Sequence, residues 1–354
     1  MTLSRRARRE WRFFLWFSVA SAAISAYFGY AVGSADDPAI RGASHGVLAS
    51  LLIATPIVFA EVRGRRIALL RRLRRLPWAA FFTIKALFYA AVIIGGLLTM
   101  RVLTHGPDED PFALNATFRG SIAFGVAMAL LGNLVVETGG LLGFSTLKNI
   151  LTGRYVHPRR ERRAFLLIDM RDSTGLAESL GPIRFHELLN SFFRDIAEAA
   201  FESEAEIHKY VGDEAILTWP IDTALADGEC LACAFLARDL IAGNAEHYRR
   251  RYGVVPTFRA ALHCGEIVAG EIGDVRREIA YVGDTLNVAA RLLEASKSLG
   301  HDTLVSQDLL DIVKLPAGLV ATPLPTLAIR GRTAPLGIAA LSRVDEKLPG
   351  VGQD

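Results

Sequence analysis

The segment IHKYVGDEAILTW, residues 207–219, predicts a strand, a tight turn and a second strand. The turn falls at Gly212-Asp213, and the apolar, β-prone run after it ends at Trp219. Glycine allows the backbone to turn sharply, so the short side chain of Asp213 is held at the hairpin tip, where a carboxylate can bind a metal ion. A Gly-Asp pair at a hairpin tip is also often only a turn, so its interpretation depends on the rest of the chain.

A second carboxylate follows an apolar run upstream. The segment AFLLID, residues 164–169, predicts a buried strand that places Asp169 at the end of a sheet. Helical sequence begins near Thr174, and backbone N–H groups at a helix N-terminus can bind phosphate oxygens. Two strand-end carboxylates beside a helix N-terminus predict a two-metal site for phosphoryl transfer.

A third segment places an amide and a guanidinium on one helical face. YVGDTLNVAARL, residues 281–292, opens with a turn and enters a helix on which Asn287 and Arg291 are four residues apart. With this segment the sequence resembles the class III nucleotidyl cyclases, the adenylyl and guanylyl cyclases. That family has an apolar strand ending in a metal-binding aspartate, a later Gly-Asp, and Asn-x-x-x-Arg on a helix further on. The resemblance covers residues 160–342, about half of the chain.

The resemblance implies a reaction and a role for each residue. In this family, O3′ of the ribose attacks the α-phosphate of the same nucleotide, and pyrophosphate leaves. Asp169 and Asp213 would hold two Mg²⁺ or Mn²⁺ ions per site, with the backbone carbonyl of Met170 as a further ligand. Asn287 would position the ribose and Arg291 would stabilise charge on the phosphate. The family builds its site from two chains, metal-binding aspartates from one and Asn/Arg from the other, so a homodimer is expected.

The resemblance also bears on the choice of purine. Lys209 matches the lysine that selects the base in adenylyl cyclases, and an ammonium can donate to adenine but cannot accept from the N1–H of guanine. The partner position, seven residues before Asn287, is Ala280, where the family commonly has Asp or Thr. Selection would then rest on Lys209, a backbone carbonyl or a neighbour such as Glu278. We expect ATP as the substrate, with a guanylyl cyclase as the alternative.

The first half of the chain contains four long apolar segments. Residues 13–33 carry no charge and are long enough to cross a bilayer, and further segments cover 46–62, 79–100 and 119–144. The second is the shortest, and Pro56 is expected to kink it. A signal peptide explains the first segment less well, because its apolar run is too long and further spans follow.

Charges in the loops predict how these segments cross the membrane. Basic residues surround the N-terminus, the second connection and the stretch after the fourth segment, whereas the first and third connections are acidic, with Asp36, Asp37, Asp108, Glu109 and Asp110. Because basic loops remain in the cytoplasm, we expect a multi-pass protein of the cell (inner) membrane with both termini cytoplasmic. A soluble bundle with solvated charged faces would not account for this alternation.

Three polar residues lie in or near the predicted spans: Lys85, Asn133 and Glu137. Charge inside a bilayer is costly and is usually paired or functional. One interpretation is that Glu137 meets Lys85 or a partner chain in a region that senses a signal. The other is that these residues only hold helices together.

The expected fold is an α-helical membrane domain followed by an α+β cytoplasmic domain of the ferredoxin-like cyclase type. We expect a four-helix anchor or sensor at 1–145, a linker at 146–163, a catalytic domain at 164–343 and a tail at 344–354. The basic run at 159–163 is expected at the membrane surface, and single helices are expected over 176–204 and 224–251. Strands are expected at 258–264, 266–272, 277–282, 327–330 and 337–341.

Composition excludes other classes. A net charge of +3 gives no case for nucleic-acid binding. Three cysteines cannot form a disulfide framework, and the Cys230-x-x-Cys233 pair lies in an alanine-rich helical pattern that favours packing over redox or metal chemistry.

Two rival functions remain open. Gly-Asp-Glu at 212–214 also occurs in diguanylate cyclases, but Val211 and Ala215 differ from their signature, and that family has no Asn-x-x-x-Arg helix. The other rival is a degenerate cyclase domain that serves as a nucleotide-binding membrane receptor. The presence of both aspartates disfavours it.

Overall fold

The structure is a computed structural model that describes residues 5–32, 39–63, 76–104, 116–225, 227–275, 277–329 and 334–345, together with Leu73 and Leu114. The chain divides into two compact units, Met1–Lys148 and Asn149–Asp354. The acidic loop residues that predict the membrane orientation, Asp36, Asp37, Asp108, Glu109 and Asp110, lie outside the described residues, so the orientation stays a prediction.

The N-terminal unit is helical. Its long helices are α1 (Arg5–Val32), α2 (Ala39–Arg63), α3 (Trp78–Thr104) and α4 (Ala116–Leu142), and the short α5 (Phe144–Leu151) follows. Each long helix contains a segment long and apolar enough to cross a membrane: Phe14–Ala31, Ile40–Glu61, Trp78–Leu103 and Phe118–Leu141. The four predicted segments are therefore confirmed as helices. The second is longer than expected and contains Pro56 within it.

Small residues bring α1 and α2 together. A Cβ atom on Gly29 would collide with the backbone of Gly42, and one on Gly46 would collide with the backbone of Ser25. The Ser50 hydroxyl also lies 3.0 Å from that of Ser21. Close backbone approach through glycine, with hydroxyl contacts between helices, is typical of helix packing in membranes.

An ion cluster joins α2, α3 and α4. The Lys85 ammonium lies 2.6 Å from Glu137 Oε1 and 2.6 Å from Glu61 Oε1, and the Tyr89 hydroxyl donates to Glu61. The predicted meeting of Lys85 with Glu137 is thus present within one chain, and Glu61 is a member that the sequence did not reveal. Asn133 donates to the Phe82 carbonyl at 3.4 Å. The cluster accounts for helix packing and leaves the sensing interpretation open.

The C-terminal unit is a mixed sheet covered by helices. In the described part of the chain the strands are β1 (Arg159–Met170), β2 (Glu206–Val211), β3 (Glu214–Pro220), β4 (Phe258–Ile272), β5 (Glu278–Val282), β6 (Thr303–Ser306), β7 (Leu319–Leu327) and β8 (Leu336–Arg343). The strand order is β2-β3-β1-β4-β6-β8-β7, with β5 paired to β4. Only the β4–β6 pair is parallel among these strands. The α+β prediction is confirmed.

The helices of this unit are shorter and more numerous than predicted. They are α6 (Ser173–Leu180), α7 (Pro182–Glu202), α8 (Ile221–Leu225), α9 (Glu229–Gly243), α10 (Ala245–Tyr252), α11 (Asp284–Leu299) and α12 (Gln307–Leu310). The single helix expected over 176–204 is wrong, because Gly181 adopts φ 75° and Pro182 starts a new helix. The single helix over 224–251 is also wrong, since Gly228 in the left-handed region separates α8 from α9.

The central strands are longer than predicted. The expected turn at Gly265 is wrong, because β4 runs through it without interruption. A side chain at Gly265 would collide with Thr285, whose hydroxyl donates to the Glu266 carbonyl at 2.7 Å and so holds the start of α11 against β4. β1 also begins earlier than expected, at Arg159, and Arg163 is only 2% exposed. The basic run is therefore the start of a strand in which Arg163 is buried, and its expected placement at the membrane surface stays a prediction.

The core has a layer on each face of the sheet. Leu166 and Ile168 of β1 pack in the layer formed with α7 and α9, whereas Phe165 and Leu167 pack in the layer formed with α11. A strand buried on both faces explains the uninterrupted apolar run before Asp169.

All three cysteines of the chain are buried as free thiols in this unit. Burial raises the pKa of Cys230 and of Cys233 to about 12, so both thiols stay protonated. The packing interpretation of the C-x-x-C pair agrees with this environment.

Candidate active site

The hairpin at 207–219 is present as predicted. β2 and β3 are antiparallel neighbours, and Val211 pairs with Glu214 across the turn. Gly212 adopts φ 61°, a left-handed conformation that an L side chain would strain. Asp213 therefore occupies a fixed position at the hairpin tip.

Asp169 comes to the same place from the neighbouring strand. It lies near the end of β1, opposite Glu214 of β3 in the strand register. Burial raises the pKa of Asp169, and the charge of Asp213 and a hydrogen bond with it raise it further, against the opposing charge of Lys297. The structure thus brings together the two aspartates that the sequence singled out.

Glu214 adds a third carboxylate that sequence reasoning did not assign. Burial, followed by the charges of Asp169 and Asp213, raises its pKa to about 7. Three carboxyl groups at one sheet end repel one another, and a divalent cation would relieve that repulsion. The position of Glu214 directly after Gly212-Asp213 was the sequence feature that could have identified it.

The donors present fit a hard divalent cation. Carboxylate and carbonyl oxygens are the ligands that Mg²⁺ prefers, and at nucleotide sites one or two carboxylates suffice because substrate phosphates complete the shell. Within the described ranges, no group of three Asp, Glu, His or Cys side chains forms a complete set of ligands. The Met170 side chain is buried in the core, at the last position of β1, so only its backbone carbonyl is a candidate ligand.

Thr174 lies where the predicted helix begins. It is exposed and is the second residue of α6. Asp172, at the N-cap, adopts the left-handed conformation and its side chain makes no capping hydrogen bond. The first-turn N–H groups of α6 are therefore not capped by this side chain.

Asn287 and Arg291 are exposed on one face of α11, whereas Val288 and Leu292 are buried on the opposite face. Among the ion pairs of the described residues, the Arg291 guanidinium contacts only its helix neighbour Glu294, at 2.9 Å. Within the described residues, no hydrogen bond or ion pair joins either side chain to Asp169 or Asp213 of the same chain.

Lys297, near the end of α11, is the residue of that helix that reaches the aspartates. Its ammonium lies 3.8 Å from Asp169 Oδ2. Asn287 is ten residues earlier, which corresponds to about 15 Å along a helix. Sequence spacing alone gave no signal for Lys297, because its contact depends on how α11 crosses the sheet.

The purine-selecting candidates lie on β2 and β5. The Lys209 ammonium is 3.4 Å from Glu278 Oε1, and both side chains are about half exposed. Ala280 is two residues from Glu278, so both project from the same face of β5. Arg330 and Arg332, two arginines near the end of the domain that could reach the phosphates, lie outside the described residues.

Comparison with known proteins identifies the family of this chain. Residues 156–335 match the family described as the adenylate and guanylate cyclase catalytic domain. Adenylate cyclase 2 of Rhizobium meliloti (strain 1021) is 34% identical over 300 residues, which are 84% of this chain and 83% of that protein. Adenylate cyclase 1 of the same strain is 28% identical over 189 residues, or 51% of this chain and 27% of that protein.

Solved structures agree on the fold. A bacterial light-regulated adenylyl cyclase superimposes with a TM-score of 0.51 at 14% identity, covering 66% of each chain. The cyclase-type α+β fold expected from the sequence is confirmed. The chain therefore belongs to the class III adenylate and guanylate cyclase family, and it carries that family's catalytic domain after four candidate membrane-spanning helices.

Proposed function

We propose that this chain is a membrane-bound adenylyl cyclase that converts ATP to 3′,5′-cyclic AMP and pyrophosphate. The observation that carries the proposal is the convergence of Asp169 and Asp213 at one end of the sheet, in a chain whose relative over most of its length is an adenylate cyclase. The repulsion between these carboxyl groups supports a role in holding cations.

Asp169, Asp213 and the Met170 carbonyl would hold two Mg²⁺ or Mn²⁺ ions. When bound, such ions would lower the pKa of the ribose O3′ hydroxyl and neutralise phosphate charge. The first turn of α6, beginning next to Thr174, would donate N–H groups to phosphate oxygens. O3′ then attacks the α-phosphate, and the bond to the pyrophosphate oxygen breaks.

The active unit is proposed to be a homodimer with two sites. Asn287 and Arg291 lie ten and six residues before Lys297, which is about 15 Å and about 9 Å along α11 from the contact with Asp169, so a partner's copies are needed to complete each site. There, Asn287 would orient the ribose and Arg291 would stabilise charge on the transferring phosphate.

Exposed apolar residues support the dimer. Val268 and Val282 are register partners on β4 and β5, and both are exposed, as are Val211 on β2 and Val275 after β4. Exposed apolar side chains on strands are best explained by burial against a second chain.

Adenine selection is proposed to rest on Lys209 together with Glu278. Lys209 can donate to an adenine ring nitrogen, and the Glu278 carboxylate can accept from the exocyclic amino group. Their 3.4 Å contact supports this pairing and would compensate for the missing hydrogen-bonding side chain at Ala280.

The four apolar helices support a multi-pass protein of the cell (inner) membrane. Under this proposal both termini face the cytoplasm, where ATP is present, and the lipid bilayer is the anchor. The cation-binding and catalytic steps then occur in the C-terminal unit.

The test is a nucleotide assay on the full chain in membranes. With Mn²⁺ and ATP the product should be cyclic AMP, and Asp213→Ala should reduce its formation at least about 10³-fold. Glu178, an exposed carboxylate on α6, provides the matched control as Glu178→Ala. A parallel assay with GTP distinguishes the guanylyl alternative. Absence of both products from a folded dimer would favour the nucleotide-binding receptor.

A further inference from the structure

Arg163 is a buried charge outside the proposed catalytic groups. Its side chain is 2% exposed. One guanidinium nitrogen donates to the Tyr281 hydroxyl at 2.8 Å and the other to Glu206 Oε2 at 2.5 Å. The guanidinium carbon also lies 5.0 Å from the centre of the Tyr281 ring. Burying a guanidinium costs free energy unless hydrogen-bonding partners are well placed, and these contacts offset that cost for Arg163.

The charges around Arg163 balance. Glu161 Oε2 lies 3.7 Å from Arg163, and Glu161 Oε1 lies 2.9 Å from Arg154. The hydroxyl of the buried Tyr155 donates to the same carboxylate at 3.2 Å. Two guanidinium groups therefore face two carboxylates, those of Glu161 and Glu206. This neutral cluster ties the segment before β1 to both β2 and β5.

His208 stacks on the other side chain of this pair, the Tyr281 ring. The two rings are 4.3 Å apart and nearly parallel, with 17° between their planes. His208 is the extra residue of a bulge, because the β2–β3 register shifts between Ile207 and Lys209. Bulges redirect the side chains next to them, and the residue that follows His208 in this bulge is Lys209.

His208 stays neutral at physiological pH. Burial, then the charges of Lys209 and Arg163, lower its pKa to about 4. The stack therefore adds no third positive charge to the cluster, and its geometry does not change near neutral pH.

Tyr281 lies three residues before the next helix. It is followed by Gly283, with φ 154°, and by α11, which starts at Asp284 and carries Asn287 in its first turn. Tyr281 therefore stacks on the strand that bears Lys209 and lies close in sequence to the helix that bears Asn287.

We infer that Arg163, Tyr281 and His208 form a positioning stack that sets the placement of Lys209, and hence the preference for adenine. This inference rests on the proposed function, and none of the three residues needs to touch the nucleotide. A displacement of about 1 Å can cost up to roughly 10²-fold in rate or affinity.

The decisive comparison is His208→Ala against His208→Phe in the full chain. Removing the ring should lower the ratio of kcat/KM for ATP to that for GTP about tenfold, mainly by raising KM for ATP. Phenylalanine keeps the stack and should retain at least about half of the wild-type ratio. Arg163→Met should also lower the ATP-to-GTP ratio. Because both residues act through one stack, the double variant Arg163→Met, His208→Ala should lower this ratio no further than the more severe single variant.

Arg160 provides the matched control. It lies in the same strand with its side chain 79% exposed, and Arg160→Met should keep the wild-type ratio. A wild-type ATP-to-GTP ratio in His208→Ala, or equal losses in His208→Ala and His208→Phe, would overturn the inference. These histidine variants decide the question even if Arg163→Met does not fold.

Binding separates this inference from the proposed function. Affinities for fluorescent ATP and GTP derivatives with Mn²⁺ report the same preference without turnover. A wild-type chain that binds these nucleotides but makes no cyclic AMP contradicts the proposed function, while the effect of His208→Ala on the affinity ratio still tests the stack. An unchanged affinity ratio in that variant would refute the stack.

Discussion

Glu214→Gln should stabilise the metal-free catalytic unit at alkaline pH. The pKa of Glu214 rises from 4.5 to about 7 in the folded chain, so the folded state holds a proton that the unfolded state has lost. Stability from this group is present below pH 4.5 and is lost as the pH rises through 7. At pH 8 the ionised carboxylate therefore destabilises the fold, and a neutral glutamine removes that cost.

The size of the effect follows from the shift. A rise of about 2.5 in the pKa of Glu214 corresponds to about 3 kcal/mol at full strength, but solvent reaches this partly buried side chain, so we expect about 1–2 kcal/mol. For a unit of this size that corresponds to a rise in Tm of roughly 2–8 °C. At pH 4.5 the two proteins should unfold at the same temperature, because Glu214 is then protonated in the folded state.

The three buried cysteines provide an assay specific to this unit. All three lie in the C-terminal unit, so a pyridyl disulfide reagent, which reacts with exposed thiols at acid as well as alkaline pH, reports unfolding of that unit and not of the membrane helices. Measurements in EDTA with the full chain in detergent avoid bound cations, and Glu178→Gln is the matched exposed control. An equal Tm for wild type and Glu214→Gln at pH 8, or the same difference at pH 4.5 and pH 8, would refute the reasoning.

Two further changes test other charges. Lys85→Met should destabilise the membrane unit by about 3–5 kcal/mol, because it leaves Glu61 and Glu137 without their shared cation, and the yield of monodisperse full-length protein should fall. Adding Glu61→Gln and Glu137→Gln should restore the yield, and an unaffected Lys85→Met would contradict the cluster's role. Lys297→Met should lower the Mn²⁺ concentration for half-maximal activity about 2–5-fold, because the ammonium no longer competes for Asp169. An unchanged or higher requirement would show that the pair does not limit cation binding.

The sequence predicted the parts of the site that depend on local pattern. An apolar run before Asp169 and a Gly-Asp between two β-prone segments are local signals, and both strands formed as expected. The position of Asn287 and Arg291 on one exposed helix face follows equally from helical spacing.

The remaining features depend on pairing between distant segments. β1 extends back to Arg159 because it pairs with β4 as far as Ala269, and only this pairing places Arg163 on the buried face with Phe165. In the sequence, Arg163 belongs to a run of basic residues, and such a run predicts a surface position. Gly265 was taken for a turn because the close approach of Thr285 is not visible in sequence.

The central claim is a site shared between two chains, and complementation tests it most directly. Asp213→Ala and Arg291→Ala, each inactive alone, are co-expressed as differently tagged full-length chains, and the mixed dimer is purified through both tags. Each mixed dimer should contain one intact site and show about half of the wild-type rate of cyclic AMP formation. A purified mixed dimer with no activity above either parent would contradict the shared site.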